Sequence, residues 1–138
     1  MEPAGSATDQ MFILLAQLRE VWPKKGWSWD YRFNCVASSF HVDLTNECEQ
    51  ALLSVFPDTF DHRSMDRAPE HINDMAESVG GVRSDQRIFT LKTDARLVPY
   101  AMWWPWGDEI TISLRVGLAG YVGEADNQRM QMDFNAIS

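Results

Sequence analysis

Residues 87–118 constrain this chain more than any other stretch. Ile110, Ile112, Leu114 and Val116 alternate with Thr111, Ser113, Arg115 and Gly117. A side-chain period of two places the two sets on opposite faces of a strand. Upstream, Tyr100-Ala101-Met102-Trp103-Trp104 is dense in residues that suit a pleated surface. Pro105 and Gly107 lie between the two runs. They supply the bend and the permissive backbone of a hairpin loop of about four or five residues. The first strand of the hairpin is started near Tyr100, because Pro99 has no amide to donate to a ladder. A further strand is read over residues 87–92.

Helical and strand periods alternate through the rest of the chain. Residues 1–7 are expected to fray. A helix then follows with Thr8 as its N-cap, Met11, Leu14, Leu15, Leu18, Val21 and Trp22 on its stripe and Phe12 and Ile13 widening it. Pro23 ends it. Trp27, Trp29, Tyr31, Phe33 and Cys35 alternate with polar residues and read as one long strand with an aromatic core face. The phase changes by Phe40, Val42 and Leu44, which calls for a bulge or bend near residues 36–39. Cys48, Ala51, Leu52, Val55 and Phe56 form a second helical stripe, with Asn46 and Glu49 spaced as a capping box. Residues 58–67 read as a polar connector. Pro69 opens a third helix, whose stripe is Ile72, Met75, Ala76 and Val79 and whose stop is Gly80-Gly81. Met130, Met132, Phe134 and Ala136 alternate as a last strand would.

The predicted order is α-β-α-α-β-β-β-β in a single domain over residues 1–138. The fold class is α+β: a two-layer sandwich with three helices on one face of a mainly antiparallel sheet of about four to five strands. At this length about 70% of the unfolded surface can be buried without staples. Cys35 and Cys48 lack CxxC spacing and are read as packed thiols in a reducing, cytoplasmic setting, although spacing leaves a disulfide between them open.

Charge narrows the partners. The net charge of −8 opposes binding to phosphate backbones and anionic lipid, so neither general nucleic-acid binding nor membrane association is expected. No apolar run approaches the roughly 20 residues of a membrane span, and the first residues lack a basic signal-peptide start.

No motif fixes a reaction. GxSxG, a P-loop, GxGxxG, HExxH and a calcium loop are all missing, and no cofactor is expected. Both thiols fall on apolar faces, where cysteine behaves as a small hydrophobe. The strongest functional signal is the hairpin tip. Trp103, Trp104 and Trp106 stand there beside Asp108 and Glu109, and large rigid aromatics anchor interfaces. Regular alternation sends Trp103 and Trp104 to opposite faces, so at least one of them belongs to the core. These five residues are the expected contact surface for a protein partner, basic in character to match the acidic chain. The reading is a non-enzymatic interaction domain of the adaptor, inhibitor or immunity-protein kind.

Two alternatives stand beside it. One is a metal-assisted hydrolase built on Asp58, Asp61, His62, Asp66, Glu70, His71 and Asp74, where His71 and Asp74 share a helix side. The spacing matches no established ligand motif, and a structural role for the cluster is preferred. The other is a carbohydrate-binding module that stacks sugars on exposed tryptophans.

Overall fold

In a computed structural model that describes residues 6–136, one six-stranded antiparallel sheet organises the chain. Its strands are β1 Ser28–Asp30, β2 Cys35–His41, β3 Asp58–Phe60, β4 Arg87–Thr90, β5 Leu97–Pro105 and β6 Thr111–Gly120. Their spatial order is β1-β2-β6-β5-β4-β3. Among the described residues there are four α-helices: α1 Ala7–Val21, α2 Thr45–Leu53, α3 Glu70–Ser78 and α4 Glu124–Asp133. The α+β class agrees with the sequence reading. The order, the strand count and the helix count differ from it.

The long hairpin forms as the alternation requires. β5 and β6 pair over nine positions, from Leu97↔Gly120 to Pro105↔Ile112, and both are interior strands. β5 starts at Leu97, so Pro99 sits inside it. β4 ends at Thr90, beside Tyr100. The Thr90 hydroxyl donates to the Pro99 carbonyl at 2.8 Å, so a side chain satisfies the proline where the ladder has stopped.

Both faces of the sheet are covered in part. Ala101 and Trp103 of β5, Ile112, Leu114 and Val116 of β6, and Val36 and Phe40 of β2 form one core with α1, α2 and α4. The other core joins Ile72 and Ala76 of α3 to Ile88, Val98, Tyr100, Met102 and Ala119. α3 therefore lies across the sheet from the other helices. The arrangement has three layers, which corrects the expectation of three helices on one face. β5 explains why. Residues 97–103 are buried at every position, and a strand buried on both sides needs a cover on each.

Three further differences have local causes. The strand expected through residues 27–35 stops at Asp30. The Asp30 carboxylate accepts the amides of Arg32 and Phe33 at 2.9 and 3.3 Å, which closes a turn. Asn34 completes that turn at φ 53. This hairpin turn produces the phase change, and no bulge is needed at residues 36–39. Trp27 and Trp29 enter the core, whereas Tyr31 is exposed.

The chain end that alternates in sequence is the helix α4. Met130 and Phe134, four residues apart, are both buried while Met132 is exposed, and the Phe134 ring meets Trp27 at 5.0 Å. β3 falls inside the stretch read as a connector. Ser6 caps α1 by accepting the Asp9 amide, so the cap falls two residues before the expected Thr8. Ile13 faces solvent rather than widening the buried stripe, and Val21, expected on that stripe, is exposed as well. The fraying expected of residues 1–7 concerns mainly residues outside those described.

α4 is anchored by an ion pair. Asp126 accepts from Arg96 through both carboxylate oxygens, at 2.9 and 3.0 Å, and from the Gly123 amide at 2.9 Å. The Arg96 hydrogen bond, more than the amide, holds the Asp126 carboxyl below the usual carboxylate range. A lowered folded-state pKa gives stability that is present above the unfolded value of about 3.9 and is lost as pH falls through the folded one. Arg96→Gln should therefore cost roughly 0.5–1 kcal/mol at neutral pH, the scale of a partly exposed pair. The difference from wild type should narrow below the ordinary carboxylate pKa and close in denaturation curves taken below the lowered Asp126 value. An unchanged gap in acid would assign the loss to something other than this pair.

Gly117 is required by a side chain above it. It faces Tyr100 across the hairpin and Cys35 across β2, and the Tyr100 ring lies over it as cover for a bare strand position. A Cβ at residue 117 would stand 2.5 Å from the Tyr100 hydroxyl and 3.1 Å from the Cys35 Cβ. Gly117→Ala should thus destabilise by about 1–3 kcal/mol, the scale of overpacking, read from the urea midpoint. A neutral result would mean that Tyr100 swings away freely.

Candidate functional site

The hairpin places its three tryptophans in three different environments. Trp103 is 3% exposed and packs against Phe40 and Phe89 at ring distances of 5.2 and 5.9 Å. It is a core residue. Trp104 points to the opposite face and is half-buried at the margin of the second core. Trp106 is 52% exposed at the turn, and Ile110, at 51%, flanks the same turn. Of the five residues expected to form one contact surface, only Trp106, Asp108 and Glu109 are fully at the surface.

The turn that carries Trp106 is closely held. The Asp108 carboxylate accepts from the Ile110 amide at 3.0 Å, the Thr111 amide at 2.9 Å and the Thr111 hydroxyl at 2.7 Å. The Thr111 hydroxyl bond, followed by the Ile110 amide, holds the Asp108 carboxyl below the usual range. The Trp106 amide donates to the Thr111 carbonyl at 2.8 Å. Glu109 takes up a left-handed backbone, φ 65, at an inherent steric cost that the surrounding bonds offset. The Ile110 carbonyl also accepts from the Val42 amide at 2.9 Å, which ties the tip to the segment after β2. Asp43 follows there and is exposed. Asp108 and Glu109 put two exposed acidic residues on the turn that carries the exposed aromatic.

The acidic and histidine residues at 58–74 do not converge. Asp58 lies in β3. Asp61 is a turn residue, its carboxyl held low first by the Arg63 amide and then by the Ser64 hydroxyl. His62, Asp66, Glu70 and Asp74 are exposed, and the His71 ring stands edge-on to Tyr121 at 5.3 Å. Among the described residues no three His, Cys, Asp or Glu side chains are arranged to hold a metal ion. Cys35 and Cys48 are free and fully buried. Burial, more than the nearby Asp30 and Glu47 respectively, pushes both thiols up to about 12, far from the range of a reactive thiolate.

A concave site missed by the sequence reading lies on the α3 side of the sheet. Met102 and Trp104 of β5 and Arg115 of β6 form its floor. Arg32 and Phe33 in the 31–34 turn make one wall, and Val79, Gly80, Gly81, Arg83 and Gln86 after α3 make the other. The cleft measures about 340 Å³. A second lobe of about 450 Å³ shares Arg32, Phe33 and Val79 with it and runs on towards His71 and Asp74. Asp30 organises the junction. Its Oδ1 fixes the turn, and its Oδ2 accepts from Arg115 Nε at 3.2 Å.

Compared with known proteins, the chain matches no family model, no curated protein and no solved structure.

Proposed function

We propose that this chain is a protein-interaction domain whose anchor is the hairpin tip, with Trp106 at its centre. One observation carries the reading. A large aromatic side chain is left half in solvent on a turn braced by three hydrogen bonds to the Asp108 carboxylate. Exposed aromatics at a fixed position lose little conformational entropy on binding and recur among interface hot spots. Ile110 extends the apolar contact, and the two acidic residues on the turn fit a basic partner. Trp103 leaves the expected contact set, and Trp104 belongs to the cleft on the sheet face. The two buried thiols suit a reducing, cytoplasmic setting. No helix among the described residues is long and apolar enough to cross a membrane.

Replacing Trp106 with a photoreactive phenylalanine analogue in the native host tests this reading. Irradiation should give one dominant protein adduct that is missing when the same analogue replaces Met132, which is also exposed but lies on α4. Identical adduct patterns from the two positions would rule out the tip as the anchor.

A further inference from the structure

We propose that the cleft between the 31–34 turn and the end of α3 binds a small organic anion with a planar ring, of the aryl carboxylate or aryl phosphate kind. Charge is the first observation. Acidic residues outnumber Lys and Arg by 20 to 12 in the chain, yet the first lobe of the cleft is lined by Arg32, Arg83 and Arg115 and by no Asp or Glu, Asp74 lining only the second lobe. Its local sign is therefore opposite to that of the whole molecule. Asp30 compensates only Arg115. Among the described residues, Arg32 and Arg83 have no carboxylate partner. Two uncompensated guanidinium groups suit a ligand of one or two negative charges, and the planar guanidinium fork matches carboxylate and phosphate oxygens.

The second observation is how the groups are held. Arg115 is fixed by Asp30 Oδ2 at 3.2 Å and by Ser113 Oγ at 3.3 Å. The same Asp30 sets the turn that presents Arg32 and Phe33, so one carboxylate positions the floor and one wall of the cleft. The Arg32 Cζ stands 4.4 Å from the Phe33 ring centroid and the Arg115 Cζ 6.0 Å from it. Phe33 and the half-buried Trp104 line the cleft beside the cations, so a planar ligand can pack on an aromatic side chain while its charged end meets the guanidinium groups. The volume suits a small molecule, at the lower end of ordinary ligand sites. The proposal is independent of the tip, and Trp106→Ala should leave it intact.

Titration of the whole protein with benzoate, phenyl phosphate, inorganic phosphate and benzyl alcohol tests the proposal. Calorimetry gives affinity, and the Trp104 indole and 31–34 amide NMR signals report the place. Benzoate or phenyl phosphate should saturate and move those signals. Inorganic phosphate, which lacks the ring, and benzyl alcohol, which lacks the charge, should each bind at least ~10-fold more weakly. The double variant Arg32→Gln/Arg83→Gln changes two exposed side chains, so its thermal midpoint should hold while the affinity for the aryl anion falls at least ~10-fold. The proposal fails if neither aryl anion saturates at millimolar concentration, or if inorganic phosphate binds as tightly as phenyl phosphate. Wild-type affinity in the double variant would overturn it as well.

Discussion

Replacing Trp103 with alanine is expected to lower folding stability by about 3–5 kcal/mol, the range for emptying a buried aromatic site. Trp103 stands opposite Arg87 on one side and Leu114 on the other, at the centre of the sheet face that α1 and α2 cover. Phe40 meets its ring at 66° and Phe89 at 51°, so two aromatic contacts disappear together. The Arg87 guanidinium lies 4.8 Å from the Trp103 ring centroid and is held by Glu49 at 3.1 Å, so a cation–π contact that links the sheet to α2 goes with them. Urea denaturation with an unchanged m-value would read the loss directly. A cost below about 1 kcal/mol, the middle of the range for ordinary substitutions, would contradict this packing.

Leu52→Ala should cost about 2–5 kcal/mol, as large-to-small changes in a closed core do. Leu52 has no exposed surface, and it shares the core with Cys48, Val55 and Phe56. Its chain neighbour Leu53 is 39% exposed, so Leu53→Ala should stay within about 0.5 kcal/mol. Equal losses from the two would mean that α2 is rotated relative to the sheet.

How much of this was legible in the sequence depended on how far apart the deciding residues lie. The hairpin and the stripes of α1, α2 and α3 were readable, because periodicity is a local property. The layer to which α3 belongs was not, since an apolar stripe does not say which sheet face it meets. A signal did exist in Leu97-Val98-Pro99-Tyr100-Ala101-Met102-Trp103, which is apolar in both phases, as a doubly covered strand must be.

The end of the chain misled for a different reason. Met130, Met132 and Phe134 fit a period of two, but Met130 and Phe134 also fit a helical step of four. The capping contact of Asp126 with Gly123 decides for the helix. Asp30 fits the polar side of a strand by period, although Asp two or three residues before the amides it can accept is a turn signal. At the tip, alternation correctly separated Trp103 from Trp104. The arginine cleft had no local signature, because Arg32, Arg83 and Arg115 are brought together only by the hairpin registers and by the placement of α3.

The central claim is that Trp106 serves a partner rather than the fold. Once the crosslinked partner is identified, the direct measurement is its affinity for the Trp106→Ala variant, taken beside the variant's thermal midpoint. The affinity should weaken by at least ~2 kcal/mol, the threshold for a hot spot, while the midpoint stays at the wild-type value. Asp108→Ala should weaken binding too, since it releases the turn that presents the ring. A variant that loses thermal stability but binds its partner as wild type does would contradict the claim and make Trp106 a cover for the core.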